Sequence, residues 1–186
     1  MTIADYDFTS LPTLETPRLR LEPQGAEHLD GLWASVNDVE TLRLTGTHAR
    51  FSKEQIRAWL RTVAAAEDRA DWAVVRRDTG QYLGEIVLND LARNNASMGY
   101  RIGLSGPGAL GQGYGTEAGR AVIAHAFDVI GLHRVALEVY AFNPRAVQSY
   151  RKIGFVEEGR MRDALHWDGE WVDALMMSIL STDLRG

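Results

Sequence analysis

The ordered part of the chain announces itself by alternation. Arg18-Leu19-Arg20-Leu21-Glu22 has the period of two of a half-buried strand, and Pro23-Gln24-Gly25 punctuates it. The period then lengthens: Leu29, Leu32, Trp33 and Val36 fall at helical spacing within 26–37. Ser52 is placed to cap a second helix, whose inward stripe is Ile56, Trp59, Leu60 and Val63. Period two returns in Trp72-Ala73-Val74-Val75-Arg76 and Tyr82-Leu83-Gly84-Glu85-Ile86-Val87-Leu88, joined by an Asp78-Thr79-Gly80 turn, and 97–104 adds a third strand. These three predict an antiparallel meander. A helix over 116–130 with Val122, Ile123, Ala126, Phe127 and Ile130 inward is followed by a strand over 134–141, a unit that should be parallel. Asn143-Pro144 opens a short helix that Gly154 closes, and 156–166 with 171–179 form a last hairpin about Asp168-Gly169. Residues 1–12 carry acids and a proline without periodicity, so 1–13 is expected to be an N-terminal arm and 14–186 one domain.

At 186 residues and 45% hydrophobic, the chain can bury one sizeable core. With 25 acidic against 20 basic residues, a formal charge of −5 and no dense Lys/Arg stretch, nucleic acid is disfavoured as a partner, whereas an amine substrate is not. The absence of cysteine removes thiolate metal sites and a Cys nucleophile together. The five histidines show no metal-ligand spacing, so no metal is expected. No secretory signal or apolar run of about 20 residues is present, which makes no membrane and a cytoplasmic location the expectations.

Candidate chemistry begins at Leu110-Gly111-Gln112-Gly113-Tyr114-Gly115-Thr116-Glu117-Ala118. Alternate glycines leading into a helix let backbone N–H groups approach an anion, and the first helical turn adds unpaired donors and a positive dipole end. That reads as a pyrophosphate cradle, although an ordinary Gly-rich turn has the same composition. Thirty-odd residues on, Tyr150 lies seven positions after Asn143, nearly two turns at about 100° per residue, so cap and phenol share a helix face. A phenol with pKa near about 10 stays protonated at neutral pH and can donate to a departing thiolate. The spacing equally fits a core tyrosine beside Val147 and Ile153.

Leu110 to Ala118, followed by Asn143-Pro144-Arg145-Ala146-Val147-Gln148-Ser149-Tyr150-Arg151-Lys152-Ile153-Gly154-Phe155 and Glu158-Gly159, resembles the GNAT superfamily of N-acetyltransferases. The Glu15-Thr16-Pro17-Arg18-Leu19-Arg20-Leu21 opening and the Trp167-Asp168-Gly169-Glu170-Trp171-Val172-Asp173 hairpin resemble its branch of ribosomal-protein N-terminal and spermidine acetyltransferases. The resemblance implies an α+β fold, with a mixed, twisted central sheet, splayed middle strands and about four flanking helices. It also implies direct acetyl transfer from acetyl-CoA to a primary amine: a protein or peptide N-terminus, a polyamine or another small amine. Carried over, the backbone N–H groups of Gln112, Gly113, Tyr114, Gly115 and Thr116 would bind the pyrophosphate, with Leu110 and Gly111 beside them in the cofactor site. Ile102, Gly103 and Leu104 would pair with the pantetheine arm, Asn143 would contact that arm, and Tyr150 would protonate the leaving thiolate.

Three departures stand out. Leu110 replaces the usual Arg or Gln at the start of the glycine motif, Ser97-Met98-Gly99-Tyr100 lacks an acid often found there, and the loop over 105–109 is a few residues longer than usual. An ammonium must lose a proton before attack, so a base is expected, and Glu85 is the first candidate, with Glu138 and Asp90 behind it. His133, after a helix and before a strand, reads as a dipole partner. Two alternatives remain: a non-catalytic acyl-CoA sensor, and a dinucleotide site, since Gly113-Tyr114-Gly115-Thr116-Glu117-Ala118 also satisfies G-x-G-x-x-A. An oligomer is possible.

Overall fold

The computed structural model describes residues 3, 6–106 and 108–183. Pro107, in the loop expected to be long, lies outside them. Chain order is β1 (Leu14–Glu15), β2 (Leu19–Pro23), α1 (Leu29–Val36), α2 (Val39–Thr45), α3 (Lys53–Val63), β3 (Ala70–Arg76), β4 (Tyr82–Ala92), β5 (Ser97–Leu104), α4 (Tyr114–His125), β6 (Arg134–Tyr140), α5 (Pro144–Ile153), β7 (Val156–Trp167) and β8 (Glu170–Leu180). The strands form one sheet in the order β1-β2-β3-β4-β5-β6-β8-β7. α1, α2 and α3 cover one face; α4 and α5 cover the other. The fold is α+β, as the resemblance implied, with five α-helices among the described residues.

Local chemistry explains most of the boundaries. Ser52 Oγ accepts from the Gln55 N–H at 3.2 Å while Gln55 Oε1 accepts from the Ser52 N–H at 2.8 Å, so α3 starts on a capping box. Asn143 Oδ1 accepts from the Ala146 N–H at 3.1 Å, and Pro144 follows where a missing N–H costs nothing. α2 escaped the sequence reading because only Leu42 of its seven residues is buried, too little for a periodic stripe. Its terminal signals were present in Asp38, which accepts from the Thr41 N–H, and in left-handed Gly46. The stretch over 26–37 is a 3-10 turn followed by α1, and Trp33 lies 40% exposed, its indole N–H donating to the Phe51 carbonyl, rather than in the core. β4 runs on to Ala92, and α4 begins at Tyr114, two residues before the expected start.

The main core lies beneath α4 and α5, where Leu19, Leu21, Trp72, Ile86 and Leu88 meet Ala118, Val122 and Ile123. A smaller cluster of Leu32, Ile56, Leu60 and Val63 joins α1 to α3. The segment expected to be an arm is anchored where it is described. Tyr6 and Phe8 are buried in the main core, the Tyr6 hydroxyl lies 2.8 Å from His125 Nε2, and the Trp72 indole donates to the Pro12 carbonyl.

One irregularity matters for function. β5 and β6 are the sheet's parallel neighbours, and they pair only at Ser97, Met98 and Gly99 against Arg134, Val135 and Ala136. Beyond Gly99, β5 continues to Leu104 bound to β4 alone, while β6 continues to Tyr140 bound to β8 alone. The sheet is split there, and alternate backbone groups of β5 face the gap without a strand partner. Among the described residues, no helix is long and apolar enough to cross a membrane.

Candidate active site

A cleft of about 630 Å³ occupies the split, within the range of small-molecule sites. Neighbouring residues of a strand point to opposite faces, yet both Arg101 and Ile102 of β5 line it, so the cleft passes through the sheet. On the α4/α5 side its walls include Leu104, Gly115, Thr116, Asn143 and Tyr150; on the α2 side they include Thr41, Thr45, Asp90, Glu138 and Tyr140. Residues of both faces thus border one chamber.

The glycine run forms the rim on the α4/α5 side. Gly113 is the N-cap of α4 with φ 80°, a left-handed conformation that glycine adopts without strain. The next turn presents the free N–H groups of the helix start beside the cleft. A side chain at Gly115 would stand 3.6 Å from Leu104 Cδ1 and 3.8 Å from both Ile102 Cδ1 and Ser149 Oγ, so the missing Cβ keeps the rim open. Thr116 Oγ1 and Ser149 Oγ lie 2.8 Å apart and tie α4 to α5. Arg145 and Lys152 also line the cleft. The structure brings together Ile102, Gly103, Leu104, Leu110, Gly111, Gly113, Tyr114, Gly115, Thr116, Asn143 and Tyr150 on one surface. Gln112 is not part of that surface: its carbonyl is turned outward and accepts from Arg18 Nη1 at 3.0 Å.

Tyr150 borders the cleft, 8% exposed, with its ring edge-on to Tyr100 at 6.0 Å and to Phe155 at 5.9 Å. Burial pushes its hydroxyl up to about 12. It is therefore protonated across the physiological range. The ring packs in the core, as the core-tyrosine reading expects, and the residue also borders the chamber.

Glu85 is not among the lining residues. It projects from β4 directly opposite Gly103, one strand back from the split, on the face shared with Arg101. Burial and then the charge of Asp71 push its carboxyl up to about 7, against the opposing pull of Arg101 and Arg69. Gly103 itself lines the chamber, and a Cβ there would meet only Thr41 Cγ2, at 3.8 Å. Asp90 and Glu138, the reserve candidates, border the chamber itself. His133 lies outside it, 3.3 Å from Ser181 Oγ. Among the described residues, no group of three or more His, Asp or Glu side chains is arranged to hold a metal ion.

Sequence reasoning missed Arg18, Ser149 and the α2 threonines as site neighbours. Arg18 looked like one more polar position in a strand, and its meeting with α4 depends on strand pairing that no local pattern reports.

The α+β sheet is thus split between parallel strands, with a helix N-terminus at the split and a buried phenol bordering it. An Acetyltransferase (GNAT) domain model matches residues 18–156, and the chain belongs to this family of N-acetyltransferases. The chain is 30% identical over 174 residues to the uncharacterized N-acetyltransferase YoaA of Bacillus subtilis, covering 91% of this chain and 97% of that one. It is 28% identical over 116 residues to spermidine N(1)-acetyltransferase of Vibrio cholerae, covering 62% of this chain and 66% of the relative. In structure it is similar to the Vibrio cholerae spermidine N-acetyltransferase solved with CoA and spermine, at TM-score 0.85 and 20% identity over 92% of this chain and all (100%) of that one. Membership of an enzyme family displaces the sensor and dinucleotide alternatives. The mostly antiparallel sheet also lacks the doubly wound order that a dinucleotide site requires.

Proposed function

We propose that the enzyme transfers an acetyl group directly from acetyl-CoA to a primary amine, with Tyr150 as general acid. The observation that carries this reading is the chamber bordered from both faces of the sheet, with an anion cradle on one side, carboxylates on the other and a protonated phenol beside it. The cradle fits a pyrophosphate: its rim is backbone N–H and missing Cβ atoms, and Arg145 and Lys152 add positive charge. Acetyl-CoA brings an activated thioester; the protein orients it and manages protons. Unpaired β5 backbone groups offer hydrogen bonds to an extended arm and to a carbonyl oxygen gaining charge. The Tyr150 hydroxyl donates toward the sulfur as the C–S bond breaks. The dry surroundings that raise the phenol to about 12 penalise a thiolate beside it in the same way, so the proton need not move uphill.

The acceptor enters from the α2 side, past Asp90 and Glu138, which favour a cationic amine. A polyamine and a peptide N-terminus both satisfy this chemistry. Glu85 takes the ammonium proton through water over Gly103, a task suited to a carboxylate near 7. The test is calorimetric titration with acetyl-CoA and, as a control, NADH, followed by thiol release over polyamines, aminoglycosides and N-terminal peptides. Acetyl-CoA binding with amine-dependent CoA release supports the proposal; NADH binding alone removes it.

The Glu85→Gln variant should lower kcat roughly tenfold and abolish the rise in rate through pH 7, because the neutral amide cannot lose a proton to become a base. An unchanged pH profile would transfer the role to Glu138 or Asp90. Stability should move the other way. A carboxyl raised from 4.5 to about 7 by folding binds its proton more tightly in the native state, so stability falls as pH rises across that window. The amide escapes this loss, and the variant should gain on the order of 2 kcal/mol relative to wild type between pH 5 and pH 8, read by urea unfolding at both values.

A further inference from the structure

Arg18 lies in the turn between β1 and β2, far from the glycine run in sequence, yet it makes four contacts with that run and the helix after it. Its Nε donates to Glu117 Oε2 at 2.6 Å and its Nη1 donates to the Gln112 carbonyl at 3.0 Å. Its backbone N–H donates to Glu117 Oε1 at 2.9 Å, and its guanidinium carbon sits 4.6 Å over the Tyr114 ring. Thr16 Oγ1 adds a third bond to the same carboxylate, at 2.7 Å. Burial raises the Glu117 carboxyl, but these bonds outweigh it and hold the group below its ordinary value.

Two consequences follow from elementary geometry and charge. In a trans peptide the C=O and N–H point to opposite sides, so holding the Gln112 carbonyl outward directs the Gly113 N–H away from Arg18. Gly113 lines the cleft, and that direction makes its N–H a donor at the rim. Glu117 is also an acid in the first turn of α4, where an unpaired carboxylate would oppose an incoming diphosphate. The arginine neutralises that charge while using it as an anchor.

We propose that Arg18 is a positioning residue for the cofactor cradle: bridging the Gln112 carbonyl and Glu117, it sets the peptide orientation and local charge that let the glycine rim accept a diphosphate. It does so from outside the motif, while Leu110 supplies no polar group. This inference rests on the acetyl-CoA reading above.

The experiment compares wild type with Arg18→Met and Arg18→Lys by calorimetric titration with CoA. It also compares kcat/KM on acetyl-CoA with kcat/KM on S-acetylpantetheine, a donor without the diphosphate. Arg18→Met should weaken CoA binding about tenfold and lower kcat/KM on acetyl-CoA to match, leaving kcat/KM on S-acetylpantetheine within twofold of wild type. Arg18→Lys keeps the charge but cannot form the fork, and should recover less than half of the lost affinity on a logarithmic scale. Equal losses on both donors would reduce Arg18 to general structural support, and full recovery with lysine would reduce it to a point charge; either overturns the proposal. CoA affinity unchanged in Arg18→Met overturns it while sparing the acetyl-CoA reading. A wild-type protein that fails to bind CoA removes both.

Discussion

Replacing Tyr150 by phenylalanine is expected to lower kcat about 100-fold on the amine that serves best, with CoA affinity within about twofold and thermal stability nearly unchanged. The two halves of this expectation have different origins. Stability should hold because the ring does the packing: its edge-on contacts to Tyr100 and Phe155 involve no hydroxyl, and phenylalanine repeats them. Turnover should fall because, in the proposed mechanism, the buried hydroxyl that borders the chamber is the proton donor, and without it a thiolate must leave unprotonated into a dry site. Single-turnover and steady-state rates should drop together if proton donation belongs to the transfer step. An unchanged kcat would take the acid role away from Tyr150 and leave it a packing residue.

The Gly84→Ala variant should lose about 3–5 kcal/mol of stability or fail to accumulate as a folded protein. Gly84 has φ 147°, and a Cβ built there would stand 1.9 Å from the Gly103 carbonyl oxygen and 2.9 Å from the Leu104 Cα. Those are backbone atoms of the neighbouring strand and cannot swing aside as a flexible side chain could. Relief requires prying β5 from β4 where β5 borders the chamber, so any folded remainder should also bind CoA poorly. Gly80 is the matched control: it too has positive φ, at 70°, but a Cβ there meets nothing within 4 Å. Gly80→Ala should cost only about 1 kcal/mol, the conformational term alone. Urea denaturation of both variants separates steric exclusion from backbone preference; equal losses would show that the close approach at Gly84 is accommodated.

Elements with a dense local signal were legible from the chain alone. β2, β4 and β5, α3 with its Ser52 cap, α5 with Asn143-Pro144, and the Asp168-Gly169 hairpin all emerged close to where the sequence placed them. Each has a short-range cause, an alternation or a cap, that acts within one or two turns. α2 did not emerge, since one buried leucine makes no stripe, and neither did the anchoring of Tyr6 and Phe8, because their partners, His125 and Arg93, lie far along the chain. The candidate site divides along the same line. The glycine rim, Asn143 and Tyr150 carry their own local signatures and meet at the cleft. Glu85 was singled out as a strand carboxylate near an expected cleft, but the register puts it opposite Gly103, one strand removed from the split.

By itself the sequence determined the alternation of strand and helix, the caps that start and stop helices, the family, and the glycine run that leads into a helix. Those properties follow from side-chain chemistry read over a few neighbouring residues. Tertiary structure alone decided that β5 and β6 part after Gly99, that the opening passes through the sheet, and that Arg18 and Glu117 meet at the rim. It also decided that burial would raise Glu85 and Tyr150 above their ordinary values. Dielectric surroundings, strand register and long-range ion pairing are properties of segments brought together in space, and they exist only once the chain has closed on itself.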